Sequence, residues 1–150
     1  MTHPDASDLK KQYDSLDQKL KLAKETPEAI RPDLLLSFPY EYPDNPGEIT
    51  IETDEFTAVC PWTGLPDQGK LLVRYLPDRA CLELKSFKYY LLSYRSVGIV
   101  QEHAASRILE HLVSACQPRK MSVLLDYQVR GGLHTVVQAD YPSRDPASQR

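Results

Sequence analysis

Cys60 and Asp67 bracket the segment Cys60-Pro61-Trp62-Thr63-Gly64-Leu65-Pro66-Asp67, which two further prolines and a glycine stiffen into a turn. A cysteine attacks as its thiolate, and turn-end amides or nearby cations lower the thiol pKa. A carboxyl that folds back across the same loop can hand over a proton. Nucleophile and proton donor together make a minimal pair for covalent catalysis on one small molecule. The same two residues also suit a packed cysteine beside a turn aspartate, because free cysteine usually behaves as a small hydrophobe.

Two carboxylates and a basic segment form the next set. Glu83 sits in the apolar-flanked run Cys81-Leu82-Glu83-Leu84-Lys85, and Glu102 opens an amphipathic stretch. Either can accept paired N–H donors from a heterocycle such as guanine. At a helix start, Glu102 is also explained by the helix dipole alone. Lys85, Ser86 and Lys88 open a helical pattern, where cations oppose the dipole. That placement fits a phosphate site, with helix amides and two ammonium groups converging.

The elements that position these residues follow from periodicity. Residues 8–24 predict an amphipathic helix through Leu9, Tyr13, Leu16, Leu20 and Ala23, docked on its own domain or on a neighbouring subunit. Prolines 27, 32, 39, 43 and 46 then enforce an extended arm in which Leu34, Leu36 and Phe38 alternate. Glu48 to Val59 alternates as a strand, with a bulge near Asp54-Glu55 where the parity switches. Lys70 to Leu76 returns as a second strand. Phe87, Tyr90, Leu91 and Tyr94 mark a helix with Ser86 as its N-cap and Gly98 as its stop. Ala104 to Cys116 forms a second helix, ended by Pro118. Met121 to Val129 and Leu133 to Ala139 make a hairpin around Gly131-Gly132. The order is strand-strand-helix-helix-strand-strand, which implies an α+β layer: a four-stranded antiparallel sheet with both helices on one face. Residues 1–30 are expected as helix and arm, 31–141 as one catalytic domain and 142–150 as a flexible tail, with 1–7 disordered.

Composition narrows the function classes. The chain has 150 residues, one ordinary domain, and a net charge of −3, without the basic excess of a general nucleic-acid binder. Acids dominate from 32 to 69 and bases from 70 to 130. That asymmetry suits either a solvated surface or a basic half that receives an anionic ligand. Cys60, Cys81 and Cys116 lie far apart and the four histidines form no ligand spacing, so neither a disulfide framework nor a metal site is expected. Apolar runs such as Leu34-Leu35-Leu36 are far shorter than a spanning helix needs, and the N-terminus lacks a secretory pattern. A cytoplasmic protein that touches no membrane is expected. Tyrosine supplies nine of the thirteen aromatics, which suits surfaces buried against further copies.

Three segments carry a family resemblance. Glu83-Leu84-Lys85-Ser86-Phe87-Lys88-Tyr89-Tyr90, with Cys60-Pro61-Trp62-Thr63-Gly64-Leu65-Pro66-Asp67 before it and Arg130-Gly131-Gly132 after it, resembles the NADPH-dependent 7-cyano-7-deazaguanine reductases. These are nitrile reductases of queuosine biosynthesis, here in the short single-module form, and the likeness runs from about Leu36 to Gly132. It implies the tunnelling fold, whose subunits assemble into homo-oligomeric rings with interface sites. It implies Cys60 as the nucleophile that forms a thioimide with 7-cyano-7-deazaguanine, and Asp67 as proton donor. Leu82, Glu83, Leu84, Gln101 and Glu102 fall on the substrate segments. Lys85, Ser86, Lys88 and Arg130 fall on positions associated with NADPH, which supplies two hydrides in succession to give the aminomethyl product.

One position departs from that family. A histidine usually precedes the glutamate matching Glu102, and this chain has Gln101 there, with His103 on the other side. Glutamine hydrogen-bonds but carries no proton at neutral pH, and adjacent helical residues point about 100° apart, so His103 is no simple substitute. Two other readings share the Cys60/Asp67 element: a tunnelling-fold amidinotransferase acting on nitrile-modified tRNA, and a non-catalytic purine-binding ring subunit. The intact Lys85, Ser86 and Lys88 argue against the first. A thioimide band on mixing with the cyano substrate separates catalysis from the second.

Overall fold

The computed structural model describes residues 6–19 and 24–144. Helix α1 spans Ala6–Lys19, so it begins before the expected boundary and takes in Ala6 and Ser7. Leu20 and Ala23 of its stripe lie outside the described residues. Leu9, Tyr13 and Leu16 are exposed, so this face is not buried on the domain that follows.

The proline-rich arm is less extended than its sequence implies. Pro27–Ala29 and Pro32–Leu34 are single turns of 3-10 helix, each opened by a proline whose missing N–H has no role there. Strand β1, Ser37–Pro39, follows.

Strand β2 covers Ile49–Val59 and β3 covers Pro66–Leu76. Their antiparallel register breaks between Thr53 and Phe56, where Asp54 and Glu55 together face Lys70. This is the bulge the parity switch predicts, braced by the Glu55 N–H donating to Thr53 Oγ1 at 3.1 Å. Strand β3 begins earlier than Lys70. Pro66 sits at its first position, where a missing donor costs little, and Asp67, Gly69, Leu71, Val73 and Tyr75 share its buried face. Strand β4, Ala80–Leu82, pairs with β1 as a separate two-stranded sheet that period-2 reasoning did not find, because each strand has three residues.

Helix α2 spans Leu84–Leu92. Its N-cap is Glu83 and not Ser86: the Glu83 carboxylate accepts the Lys85 N–H at 2.9 Å and the Ser86 N–H at 2.7 Å. Both glutamate oxygens are thereby used where a serine could offer one. Gly98 is not the stop. The helix closes at Ser93, whose hydroxyl donates to the Tyr90 carbonyl at 2.6 Å, and turns carry the chain on past the buried Tyr94. Helix α3 spans Gln101–Cys116 and ends in a left-handed Gln117 before Pro118.

Strands β5, Lys120–Tyr127, and β6, Val136–Tyr141, complete the main sheet. The turn between them includes Gly131 and Gly132 at φ +59° and +77°, conformations that glycine adopts without a Cβ clash. The returning strand starts three residues later than the alternation suggests, because 133–135 first close the turn through an Arg130–Leu133 bridge.

The sheet order is β2-β3-β5-β6, all antiparallel, with α2 and α3 packed on one face. The core joins Phe56, Leu71, Val73 and Tyr75 to Leu125 and Tyr127 from the sheet, and Phe87, Tyr90, Tyr94, Ile108 and Leu112 from the helices. Each such side chain contributes about 1.5–3 kcal/mol by leaving water. The Tyr90 hydroxyl meets Tyr94 Oη at 2.9 Å and His111 Nδ1 at 2.7 Å, so these buried polar groups are satisfied. Among the described residues the outer edges of β2 and β6 have no strand partner.

Candidate active site

Two backbone contacts bring distant segments to one end of the sheet. Val59, the last residue of β2, accepts from the Ile99 N–H at 3.2 Å and donates to the Val97 carbonyl at 3.0 Å. This parallel bridge sets Cys60 beside the start of α3. Gly98 lies at its centre because a Cβ there would stand 3.1 Å from Pro61 Cα, closer than side-chain carbons normally approach backbone.

The loop from Cys60 to Leu65 closes on itself. Gly64 N–H donates to the Cys60 carbonyl at 2.8 Å and Cys60 N–H to the Leu65 carbonyl at 2.9 Å, with Gly64 at φ +72°. Thr63 Oγ1 accepts the Leu65 N–H at 3.2 Å, which leaves its hydroxyl hydrogen to point elsewhere. It donates to Cys60. Burial raises the Cys60 pKa, but the Thr63 hydroxyl, the N–H groups of Thr63 and Trp62, and the charge of Arg130 outweigh it, so the thiol titrates below its ordinary range. Cys60 is buried where turn geometry alone left it free to be exposed. Thr63 touches the thiol, a contact that motif spacing does not reveal. Its signal was a hydroxyl residue three positions after the cysteine in a closing turn.

Asp67 is 4 % exposed, on the core face of β3. Arg130 Nη1 donates to its Oδ1 at 2.6 Å and Gln101 Nε2 to the same oxygen at 3.2 Å. Tyr127 closes the floor, its hydroxyl donating to the Gln101 carbonyl at 3.3 Å. Burial, then the charges of Asp67 and Glu102, push the Tyr127 phenol up, so it remains a neutral donor.

Cys60, Pro61, Trp62, Asp67, Val100, Gln101, Glu102, Arg130, Leu133 and Thr135 line a cleft of about 310 Å³. Five of the residues singled out from sequence meet there: Cys60, Asp67, Gln101, Glu102 and Arg130. Leu82, Glu83, Leu84, Lys85, Ser86 and Lys88 do not line it; they sit at the start of α2. Leu82 is buried, while Leu84, Lys85 and Lys88 are exposed.

The residues at α2 divide when tested against an anionic cofactor. Lys85 and Lys88 form no salt bridge among the described residues; Lys85 Nζ lies 5.9 Å from the centre of the Tyr89 ring, an exposed cation–π contact that an anion can replace. Ser86 differs. Its hydroxyl donates to the Glu83 carbonyl at 2.8 Å and accepts the Leu36 N–H at 3.0 Å. Its one donor is spent, and phosphate oxygens offer only acceptors. Among the described residues no group of His, Cys, Asp and Glu could hold a metal ion.

An antiparallel sheet with two helices on one face, and a thiol beside a buried carboxylate at its end, define a tunnelling-fold protein with a cysteine-based site. Residues 66–146 match the family model described as QueF-like protein. The chain is 50% identical over 118 residues to the NADPH-dependent 7-cyano-7-deazaguanine reductase of Caldanaerobacter subterraneus subsp. tengcongensis, covering 79% of this chain and 88% of that protein. It is 45% identical over 118 residues to the reductase of the same name from Prosthecochloris aestuarii, 79% of this chain and 100% of the other. Among solved structures, the archaeosine synthase QueF-Like in its apo form superimposes with a TM-score of 0.59 at 28% identity, over 64% of this chain and 94% of that one. The chain belongs to the NADPH-dependent 7-cyano-7-deazaguanine reductase family.

Proposed function

We propose that this protein reduces the nitrile of 7-cyano-7-deazaguanine to an aminomethyl group with NADPH, as the names of its relatives indicate for them. The observation that carries the reading is the cleft in which an activated Cys60 thiol faces a buried Asp67. The Cys60 sulfur attacks the nitrile carbon. One π bond of the C≡N group breaks as the S–C bond forms; the Asp67 carboxylate takes the proton that the Cys60 thiol gives up and passes it to the nitrile nitrogen, giving a thioimide. Arg130 and Gln101 both bond Asp67 Oδ1, so Oδ2 is the oxygen assigned to proton transfer. Glu102 accepts the paired N–H donors of the guanine-like edge. Two hydrides, the chemistry that NADPH would supply when bound, complete the reduction: the first adds to the carbon of the thioimide, the S–C bond then breaks to free Cys60 and leave an imine, and the second reduces that imine to the aminomethyl group.

Lys85 and Lys88 hold the anionic part of that cofactor. They do so across a subunit boundary in a homo-oligomer, because they lie away from the cleft that contains Cys60. The open edges of β2 and β6 support this arrangement, as does the apolar groove of about 250 Å³ beside β2, lined by Ile51, Phe87, Leu91 and Leu92. No helix among the described residues is long and apolar enough to cross a membrane, and a cytoplasmic setting belongs to the same proposal.

The archaeosine synthase likeness favours a second reading, amidine formation at the same thioimide. Two exposed lysines at the start of α2, neither in a salt bridge among the described residues, favour reduction. The test is to mix protein and cyano substrate without NADPH, then add it. Reduction requires an adduct on Cys60 equal in mass to the whole substrate, followed by two NADPH oxidised per nitrile. An adduct that ignores NADPH and yields to ammonia would overturn it.

A further inference from the structure

We propose that Trp62 is the stacking surface for the deazaguanine ring, an assignment that rests on the function given above. Trp62 is the only tryptophan in the chain and one of its most exposed large side chains, at 77 %. An indole left in water on a six-residue closed loop gains nothing for the fold. It lines the cleft with Cys60, Asp67 and Glu102. Its backbone is held on both sides: the main-chain N–H donates to the Cys60 sulfur, and the main-chain carbonyl accepts from Lys24 Nζ at 3.2 Å.

The chemistry selects the ligand part. A nitrile carbon bonded to Cys60 holds the attached heterocycle within a few bonds of the sulfur, which is the reach of a side chain two residues away. Glu102 satisfies the polar edge of that ring and leaves its face uncovered. Pro61, Val100 and Leu133 are too small to cover a bicyclic system, and the indole is large enough. Flat bases stack well on aromatic side chains because every base presents a π-face. Nicotinamide is the competing ring, but it need not remain tethered to Cys60.

The single tryptophan makes the test direct. In Cys60→Ala, which cannot form the adduct, 7-cyano-7-deazaguanine should quench the emission saturably, and calorimetry should give the same affinity. Adding Trp62→Leu should weaken calorimetric binding about tenfold or more, while Trp62→Phe restores most of it. In the parent background, Trp62→Leu should raise KM for the cyano substrate more than it lowers kcat, with an unchanged melting temperature. Calorimetric binding with no quenching, and full affinity in Trp62→Leu, would overturn the stacking role and leave the function intact. Quenching by NADPH alone would move the indole to the nicotinamide. Absence of binding and of adduct in the parent would remove both readings.

Discussion

Arg130 places Nη1 2.6 Å from Oδ1 of Asp67, a residue 63 positions earlier in the chain. The guanidinium is half exposed and the carboxylate is buried, so the pair ties the β5–β6 turn to the first residues of β3. A buried carboxylate without a partner is costly. The same arginine charge favours the Cys60 thiolate. One side chain therefore bears on both Cys60 and Asp67.

Arg130→Met should accordingly do two separable things. It leaves Asp67 with Gln101 as its remaining described donor, at a cost of about 1–3 kcal/mol, read as a lower melting temperature. It also removes a positive charge near Cys60, which raises the thiol pKa and slows alkylation at neutral pH. A variant that melts like the parent and alkylates at the same rate would show the ion pair to be idle.

Alkylation should distinguish the three cysteines. Thr63, Trp62 and Arg130 lower the Cys60 thiol against its burial, whereas burial raises Cys81 and pushes Cys116 up to about 12. Thiolate fraction rises as pH passes the thiol pKa, so the lowered group reacts at the lower pH. Iodoacetamide at pH 7 should label Cys60 alone, as mapped by mass spectrometry. Thr63→Val should shift its pH–rate curve upward, and Thr63→Ser should restore it. Equal curves for Val and Ser would remove the hydroxyl from thiol activation.

Asp67→Asn keeps the size of the side chain and loses its proton. Turnover should fall at least ~10²-fold, the scale of an acid–base group, with adduct formation slowed alongside it. A rate within a few-fold of the parent excludes Asp67 from proton transfer.

Gln101 hydrogen-bonds Asp67 at 3.2 Å, at the position where the family resemblance implies a histidine. If that position orients rather than titrates, Gln101→His should change kcat little between pH 6 and 9. A gain above about tenfold, roughly 1.4 kcal/mol of barrier, with a new titration near the ~6.5 of histidine, would falsify the orienting role.

The cleft gathers Cys60 and Glu102 from a single protomer, so variants at those two positions should not complement each other. Cys60→Ala mixed with the double variant Lys85→Ala, Lys88→Ala should recover activity, since a hybrid interface then holds one intact set. Recovery absent under subunit exchange, or full activity from a monomer in analytical ultracentrifugation, argues against sites shared between chains.

Local signals carried much of this. The alternation of Met121, Val123, Leu125 and Tyr127 is the buried face of β5, and Phe87, Tyr90 and Tyr94 are the buried stripe of the α2 region. Errors arose where one residue type serves two physical ends. Gly98 reads as a helix stop, but it is needed for close approach to Pro61, a requirement visible only once Val59 is paired with it. Ser86 reads as a cap, yet its hydroxyl faces backward to the Glu83 carbonyl. The Gln-Gly step before Lys70 hides the start of β3, because neither residue has an apolar side chain to keep the alternation. Arg130 and Asp67 are joined only by the register of three strands, which no short window contains.

The two-for-one pairing of Asp54 and Glu55 against Lys70 bears on how this family member can change length. Both residues face solvent, while Thr53 before them and Phe56 after them turn inward. Loss of either one leaves an unbroken in-out alternation, and the sulfur four residues beyond Phe56 keeps its side of the sheet. Loss of a residue between Phe56 and Cys60 has no such buffer and rotates the thiol to the opposite surface, away from Asp67. Deletions tolerated at Glu55 and inactivating at Thr57 are thus separated by two positions of backbone.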